Sequence, residues 1–358
     1  MYIERDTISY DFLDSLSNED YEMFINNYSF HKSLHPVFQQ NIFAITSFAL
    51  IFLIGVFGNG MILLTVVIDR SLHSNTNILL ANSCFADFLV CGILCPRYCL
   101  DFYSDYVWHS DNESSLFLCK MIEFLKNLTP IASVLFMIAI CVERFIAISR
   151  PFVAASLLKQ SNLVIVMVTV WIVSVICSLH VLFVVHFLKL DVEVYHCVIS
   201  TSFLSFISKV RFLELLFFYF TPLIVIGILY GMITKRLWRS IKEQRKLSSN
   251  KNEEMAQSRM KLIAMFCLIF ALFIILLAPF YFFKSITHII GVNPKMTYVS
   301  PLMRCLDSAL NPIIYVCFSK TFRKRISEQC AKRKQPLAQI QRASDMQSDN
   351  YQTKLSTL

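Results

Sequence analysis

Charge is scarce in this sequence. Asp, Glu, Lys and Arg make up 16% of its 358 residues, hydrophobic residues make up 56%, and mean hydropathy is +0.56. A soluble domain of that length has no use for so much apolar surface. Residues 42–68 contain no charged residue at all, and roughly 20 apolar residues suffice to cross a bilayer as a helix. Only helices and closed barrels satisfy their backbone inside lipid, so blocks of this length predict helices. Six more blocks follow near 78–100, 117–142, 163–187, 212–233, 262–283 and 297–318. Other features are missing too. No short apolar core lies near Met1, so a cleaved secretory signal is not expected and the first helix is expected to direct its own insertion. The blocks show no internal repeat, which speaks against a transporter or channel. His180 and His186 have no partners at metal-ligand spacing, which speaks against a seven-helix membrane hydrolase.

The few charges inside the blocks stand out. The second block carries Asp87 and Arg97, the third Glu123 and Lys126, the seventh Arg304 and Asp307. Charge within a membrane is costly, so each is a functional candidate. Lysine and arginine also set orientation. The segment between blocks five and six holds Lys235, Arg236, Arg239, Lys242, Arg245, Lys246, Lys251, Arg259 and Lys261. The tail adds Lys320, Arg323, Lys324, Arg325, Lys332, Arg333 and Lys334, whereas the other side offers Asp101, Asp105, Asp111 and Glu113. The N-terminus is therefore expected outside and the C-terminus in the cytoplasm. The net charge of +8 is mostly this inside bias, flanking membrane helices and facing lipid headgroups, and no nucleic-acid partner is expected.

Most of the 12 cysteines sit in apolar blocks, as small buried hydrophobes. Cys119, at the outer start of the third helix, and Cys197, in the outer loop "VYHCVIS", face an oxidising compartment and favour a disulfide; Cys99 is the rival partner. Asn27 and Asn112 begin outer glycosylation sequons, while the sequon at Asn127 falls within the third helix and is expected unmodified.

The stretch "IAICVERFIAISRPF", 138–152, sets an acid and a base side by side where the third helix meets the cytoplasm. Glu143-Arg144-Phe145 resembles the Glu/Asp-Arg-Tyr motif of rhodopsin-like (class A) G protein-coupled receptors. Other landmarks fall in that family's order: Gly58-Asn59, "LANSCFAD" ending at Asp87, Trp171, Pro222 and Tyr230, Phe273 and Pro279, and "NPIIY" from Asn311 through Pro312 to Tyr315. The resemblance spans about 40–330 and implies an all-α seven-transmembrane bundle with a short amphipathic helix after the seventh. The expected organisation is an outer tail (1–41), the receptor domain (42–318), a membrane-surface helix (319–330) and a cytoplasmic tail (331–358). The family implies that Arg144, neutralised by Glu143 at rest, is released on activation to meet Tyr230, Tyr315 and a heterotrimeric G protein. Pro222, Pro279 and Pro312 each remove a backbone hydrogen bond and permit a kink. Asn59, Asp87, Ser133, Asp307 and Asn311 are implied to form a sodium and water pocket. Asp307 stands where the family usually has asparagine, and two neighbouring carboxylates need a cation or a shared proton.

This sequence also departs from the family. Leu277 replaces the usual switch tryptophan of the sixth helix, Arg259 stands near its start where an acid would lock Arg144, the fourth helix lacks its late proline, and Trp108 lies further than usual from Cys119. Lys126 occupies the place where amine receptors carry aspartate, and Cys305 the place where visual pigments carry the retinal lysine. The cavity is left with Glu123, Lys126, Glu214, Tyr281, Lys284 and Arg304. Glu123 and Lys126 can pair along the helix; alternatively, Lys126 and Arg304 receive a ligand carboxylate. Mixed charge suits a peptide better than a lipid or a small acidic molecule. The outer loop, about 189–209, is long enough for a hairpin carrying Cys197, and Tyr10 and Tyr21 lie among acids that suit a cationic peptide and sulfation.

At the far end, Phe318, Phe322, Ile326 and Cys330 recur at helical spacing between basic residues, which predicts a helix on the inner leaflet with Cys330 palmitoylated. Ser344, Ser348, Thr353, Ser356 and Thr357 are acceptors for a receptor kinase and so for arrestin, and Ser356-Thr357-Leu358 fits a PDZ-domain ligand. The reading is a plasma-membrane receptor without chemistry of its own, which converts binding of an extracellular neuropeptide into G protein activation.

Overall fold

The computed structural model describes residues 38–104, 106–108, 112–149, 154, 156–157, 159–191, 194–245, 250–290, 294–319 and 322–328. Long helices dominate: α1 (Phe38–Ile68), α2 (Asn75–Tyr103), α3 (Glu113–Ser149), α4 (Gln160–Val184), α5 (204–245), α6 (Asn250–Ile290) and α7 (Pro294–Phe318). Among the described residues, six of them, α1 to α6, are long and apolar enough to cross a membrane. The seventh is more polar because its polar side chains point inward: Ser300, Arg304, Asp307, Ser308 and Asn311 are all buried. It packs chiefly on α1 and α6. Outward-facing Phe57, Val67, Ile165, Phe183, Phe217 and Ile275 are exposed, the apolar surface that lipid would cover.

Two helices widen at prolines. Pro96 cannot donate to Gly92, and its ring would strike that carbonyl; α2 opens into a π-turn over Val90–Leu94 just before it. Pro222 follows a second π-turn, Leu216–Phe220, in α5, where the Thr221 hydroxyl donates to Leu216 O at 2.9 Å. Pro130, Pro279, Pro301 and Pro312 lie inside α3, α6 and α7. Pro312 leaves Ser308 O open, and Asn59 Nδ2 of α1 donates to it at 3.1 Å. Gly58 makes that reach possible, since a Cβ there would lie 2.7 Å from the Pro312 ring.

The buried apolar side chains form connected groups. The inner half gathers Phe136, Ile140, Tyr230, Phe266 and Tyr315; the outer half gathers Phe48, Tyr98 and Cys305 from α1, α2 and α7; Tyr219, Phe273, Leu277 and Tyr281 join α5 to α6. At the end of the bundle opposite Arg144, a hairpin of β2 (Val185–Asp191) and β3 (Val194–Ile199) pairs antiparallel, and β1 (Val107–Trp108) adds to β3, in order β1-β3-β2. The hairpin starts earlier than the expected 189–209 loop, and Leu204 already begins α5, because the apolar run from Leu204 continues directly into the span. Cys119 bonds to Cys197, 78 residues apart, and so fixes β3 to the head of α3. Cys99 instead donates to Ile45 O at 3.6 Å.

Residues 322–328 are helical, with Phe322 buried and Ile326 packed on the inner core. Arg323 donates to the last carbonyls of α7, at Val316 and Cys317, and Arg325 pairs with Asp69 at 3.2 Å, so this turn is tied to both α7 and the end of α1. Asn27, Tyr10, Tyr21, Cys330 and the tail serines and threonines lie outside the described residues.

Removing a native disulfide typically costs about 2–5 kcal/mol. Cys197→Ser is therefore expected to lower the thermal midpoint of the detergent-solubilised protein, and dithiothreitol to do the same to the wild type. Cys99→Ser should leave the midpoint unchanged.

Candidate functional site

The outer cavity, about 200 Å³, lies beneath β3. Arg97, Asp101, Tyr106, Trp108, Glu123 and Lys126 line it, with His196 and Cys197 closing the top. Its charges are paired within their own helices. Lys126 Nζ lies 2.6 Å from Glu123, one turn away, and sits 5.1 Å above the Tyr98 ring. Arg97 pairs with Asp101 and stacks 4.1 Å over Trp108. Trp108 thus serves as a rim aromatic despite its distance from Cys119 in sequence. Lys126 and Glu123 keep 21% and 32% of their side-chain surface open, against 14% and 3% for Arg97 and Asp101. The first pair is the accessible one. At the rim, burial pushes the Tyr106 phenol up and the His186 imidazole down, which leaves both neutral near physiological pH.

Deeper, a second cluster joins α3 to α6. Lys284 Nζ meets Glu214 at 2.6 Å and also reaches Asn127 Oδ1; Asn127 Nδ2 donates to Glu214 at 2.8 Å; His180 Nε2 approaches Glu214 at 4.0 Å. Sequence reasoning had Glu214 and Lys284 as separate ligand contacts and missed Asn127 and His180 as their partners. The misplaced sequon at Asn127 was the available signal, since a buried amide inside a bundle needs partners of its own. Tyr281 is buried above Tyr219, with ring centroids 5.8 Å apart. Arg304 is buried away from the cavity lining. Its guanidinium donates to Lys126 O at 2.6 Å and to the Thr129 hydroxyl, and lies 4.8 Å over Phe280.

Mid-bundle, Asn311 Nδ2 donates to Asp87 at 2.8 Å. Asp307 is buried within electrostatic reach of Asp87 and Arg304. Asn59 turns its amide nitrogen to Gly55 O and Ser308 O, while its buried Oδ1 accepts no hydrogen bond from any described residue. Ser133 is half-buried on α3.

At the inner end, Arg144 donates twice to Glu143, at 2.6 and 2.7 Å, and Thr76 of α2 donates to the same carboxylate at 2.7 Å. The carboxylate of Glu143 thus offsets the charge of Arg144 and joins it to α2. Arg144 also lines an inner cavity of about 170 Å³ with Leu80, Met265, Phe266, Tyr315 and Phe322. Arg236 of α5 lies 5.6 Å from the Phe145 ring and donates to Ser149 O at 2.9 Å. Tyr230 and Tyr315 are buried nearby. Phe273 stacks between Tyr219 and Phe270, and Leu277 packs in the same group, where the family usually has tryptophan. The side chain of Arg259 lies outside the described residues.

A family model described as "7 transmembrane receptor (rhodopsin family)" matches residues 58–315. The chain is 35% identical to the trissin receptor of Drosophila melanogaster over 207 residues, covering 56% of this chain but only 30% of that protein. It is 28% identical to growth hormone secretagogue receptor type 1 of Sus scrofa, covering 83% of each. It is 27% identical to galanin receptor 2b of Danio rerio, covering 77% of this chain and 72% of that receptor.

Breaking a buried ion pair by removing one partner typically costs about 3–5 kcal/mol, because the other charge stays buried alone. Lys284→Met should therefore lower the thermal midpoint sharply. The double variant Lys284→Met with Glu214→Gln should recover most of the loss.

Proposed function

The chain belongs to the rhodopsin family of seven-transmembrane receptors, which are receptors and not enzymes, and from that premise we propose that it is a plasma-membrane receptor for an extracellular neuropeptide that activates a heterotrimeric G protein. The observation that carries this reading is the pairing of two cavities at opposite ends of one helix: α3 presents Glu123 and Lys126 to the outer cavity and Arg144 to the inner one. The relatives are peptide receptors, which supports a peptide as the ligand class. So does the shape of the outer site, where a hairpin forms one wall and the ion pairs of both signs below it suit backbone and side-chain groups of a peptide.

In this reading α7 is the seventh span, the N-terminus is outside, and the helix at 322–328 rests on the inner leaflet. Glu123 and Lys126 make the direct ionic contacts; Glu214, Lys284 and Tyr281 define the depth of the pocket. Arg144, released from Glu143, turns with Tyr230 and Tyr315 toward the G protein. Palmitate at Cys330, sugar at Asn27 and at the exposed Asn112, a receptor kinase, arrestin and a PDZ protein on the tail complete the proposal.

Sodium belongs to it as well. Asp87, Asp307 and Arg304 together leave one negative charge, which one monovalent cation or proton neutralises. Asn59 Oδ1 and Ser133 Oγ supply further oxygen ligands of the kind a hard cation takes. A cation held in the resting form lowers agonist affinity, since it binds that form preferentially.

Agonist-dependent nucleotide exchange, screened across a neuropeptide library with Lys126→Ala and Arg144→Ala alongside, tests the receptor reading. A peptide response is expected, and both variants should lose it. Silence to every peptide from a chain confirmed at the cell surface would overturn the ligand class. Replacing sodium with N-methylglucamine should raise agonist potency at least about five-fold in the wild type, and much less in Asp307→Asn. Equal sodium and pH responses in the two forms would remove the cation from the proposal.

A further inference from the structure

Pro130 lies inside α3 and has no N–H, so the carbonyl four residues before it, Lys126 O, loses its partner within the helix. In a bilayer such a carbonyl must find a donor from another element. The donor is Arg304 of α7, whose Nη1 reaches Lys126 O at 2.6 Å while Nη2 reaches Thr129 Oγ1. Arg304 is only 2% exposed and is the largest of the fully buried side chains. The far side of its guanidinium rests on Phe280 of α6. Asp307, one turn along α7, and Asp87 of α2 lie within its electrostatic reach.

These contacts join two places otherwise separate. Lys126 is the residue whose side chain pairs with Glu123 in the outer cavity. Asp87 is the residue held by Asn311, the first residue of NPIIY. A ligand that draws the Lys126 side chain off Glu123 therefore acts on the residue whose carbonyl anchors the Arg304 guanidinium, a cation within electrostatic reach of Asp87 and Asp307.

We propose that Arg304 is a positioning residue for signal transfer: by filling the carbonyl that Pro130 leaves open, it holds α7 against α3 in the resting bundle and links the Lys126–Glu123 pair to Asp87, Asp307 and Asn311. This rests on the receptor reading above. It assigns Arg304 to the transmission path and leaves ligand contact to Lys126. The carboxylate of Asp307, which stands where the family usually has asparagine, is then offset by the guanidinium of Arg304, one helical turn away on α7.

The test is a mutant cycle on the full-length receptor, purified with its G protein and read as ligand-free nucleotide exchange. Pro130→Ala keeps every charge in place. The N–H it restores competes for Lys126 O and straightens α3, so it should raise basal exchange at least about five-fold. Arg304→Met, made together with Asp307→Asn so that the cluster keeps its single net negative charge, should do the same. Combining both changes should give no more than either alone, because they remove the same contact. Arg304→Lys, which supplies one direction of donation where two are used, should fall between. Unchanged basal exchange in Pro130→Ala and in the charge-matched Arg304 variant would overturn the proposal, as would effects that multiply. A wild-type chain that never drives exchange would instead overturn the receptor reading; thermal midpoints of the same four proteins would still decide the contact. Non-additive midpoints there support it, and additive ones remove it.

Discussion

A backbone carbonyl without a donor inside a bilayer costs several kcal/mol, roughly what a whole side-chain contact is worth. This chain creates such carbonyls repeatedly, because six of its helical prolines lie where a preceding turn needs an N–H. The answers to them determine which helices touch. At Pro312 the open carbonyl, Ser308 O, takes Asn59 from α1. At Pro130 the open carbonyl, Lys126 O, takes Arg304 from α7. At Pro279 the freed carbonyl is Ile275 O, and one residue away the Tyr219 hydroxyl of α5 donates to Ile274 O at 2.9 Å. At Pro96 and Pro222 the helix widens into a π-turn. Each hydrogen bond to a freed carbonyl is directional, so it fixes register as well as proximity, which the non-directional packing of Leu, Ile and Phe around it does not.

The scarcity of charge follows the same logic. Among the described residues, four pairs of a Lys or Arg with a carboxylate lie within the spans, and they differ in reach. Lys126–Glu123 and Arg97–Asp101 close within one helix and hold a cavity wall. Lys284–Glu214 crosses from α6 to α5 and, through Asn127, to α3. Glu143–Arg144 closes between neighbours, with Thr76 of α2 as a third member. Pairs confined to one helix can be opened by a ligand without parting helices. Pairs that cross helices resist separation, since removing either member leaves a charge stranded in low dielectric.

Much of this was legible in the sequence, and the parts that were not share a cause. Six spans and the clustering of Lys and Arg between and after them follow from composition and position, while the Cys119–Cys197 link was narrowed only to a choice in which Cys99 was the rival. The Glu143–Arg144 pair is read from adjacency. Hidden from the sequence were contacts made between helices far apart in the chain: Asn127 with Glu214 and Lys284, Asn59 with Ser308 O, Arg304 with Lys126 O. Helical periodicity gives the face a residue occupies but not which helix lies against it. Pro130 shows the limit well. Its missing N–H was readable, and so was the cost, yet the donor to the freed Lys126 carbonyl lies 178 residues from Lys126, on α7. The start of α5 at Leu204 was misplaced for a simpler reason: an apolar run gives no sign of where lipid ends and a loop begins.

These directional bonds are distributed unevenly, and the unevenness indicates which part of the bundle can move. Among the described residues, α1, α3 and α7 are registered to one another by Asn59 and Arg304, and the inner end of α5 is held to α3 by Arg236 on Ser149 O. Among the described side chains, the inner half of α6 shows no such tie to α3: there Met265 and Phe266 meet Tyr315, Leu80 and the Arg144 stem across the inner cavity through apolar contact. Higher up, α6 meets α5 through the ring stack of Tyr219, Phe273 and Tyr281, with Leu277 where a bulkier indole would interlock. Surfaces of this kind slide at little cost, because no donor or acceptor is stranded as they shift. The hydrogen bond from α5 to α6 described near that level, Tyr219 to Ile274 O, sits beside Pro279 and so marks a pivot rather than a barrier. An inner half of α6 that swings about Pro279 would open the cavity beside Arg144 while α1, α3 and α7 kept their register, which is the asymmetry a two-state receptor requires.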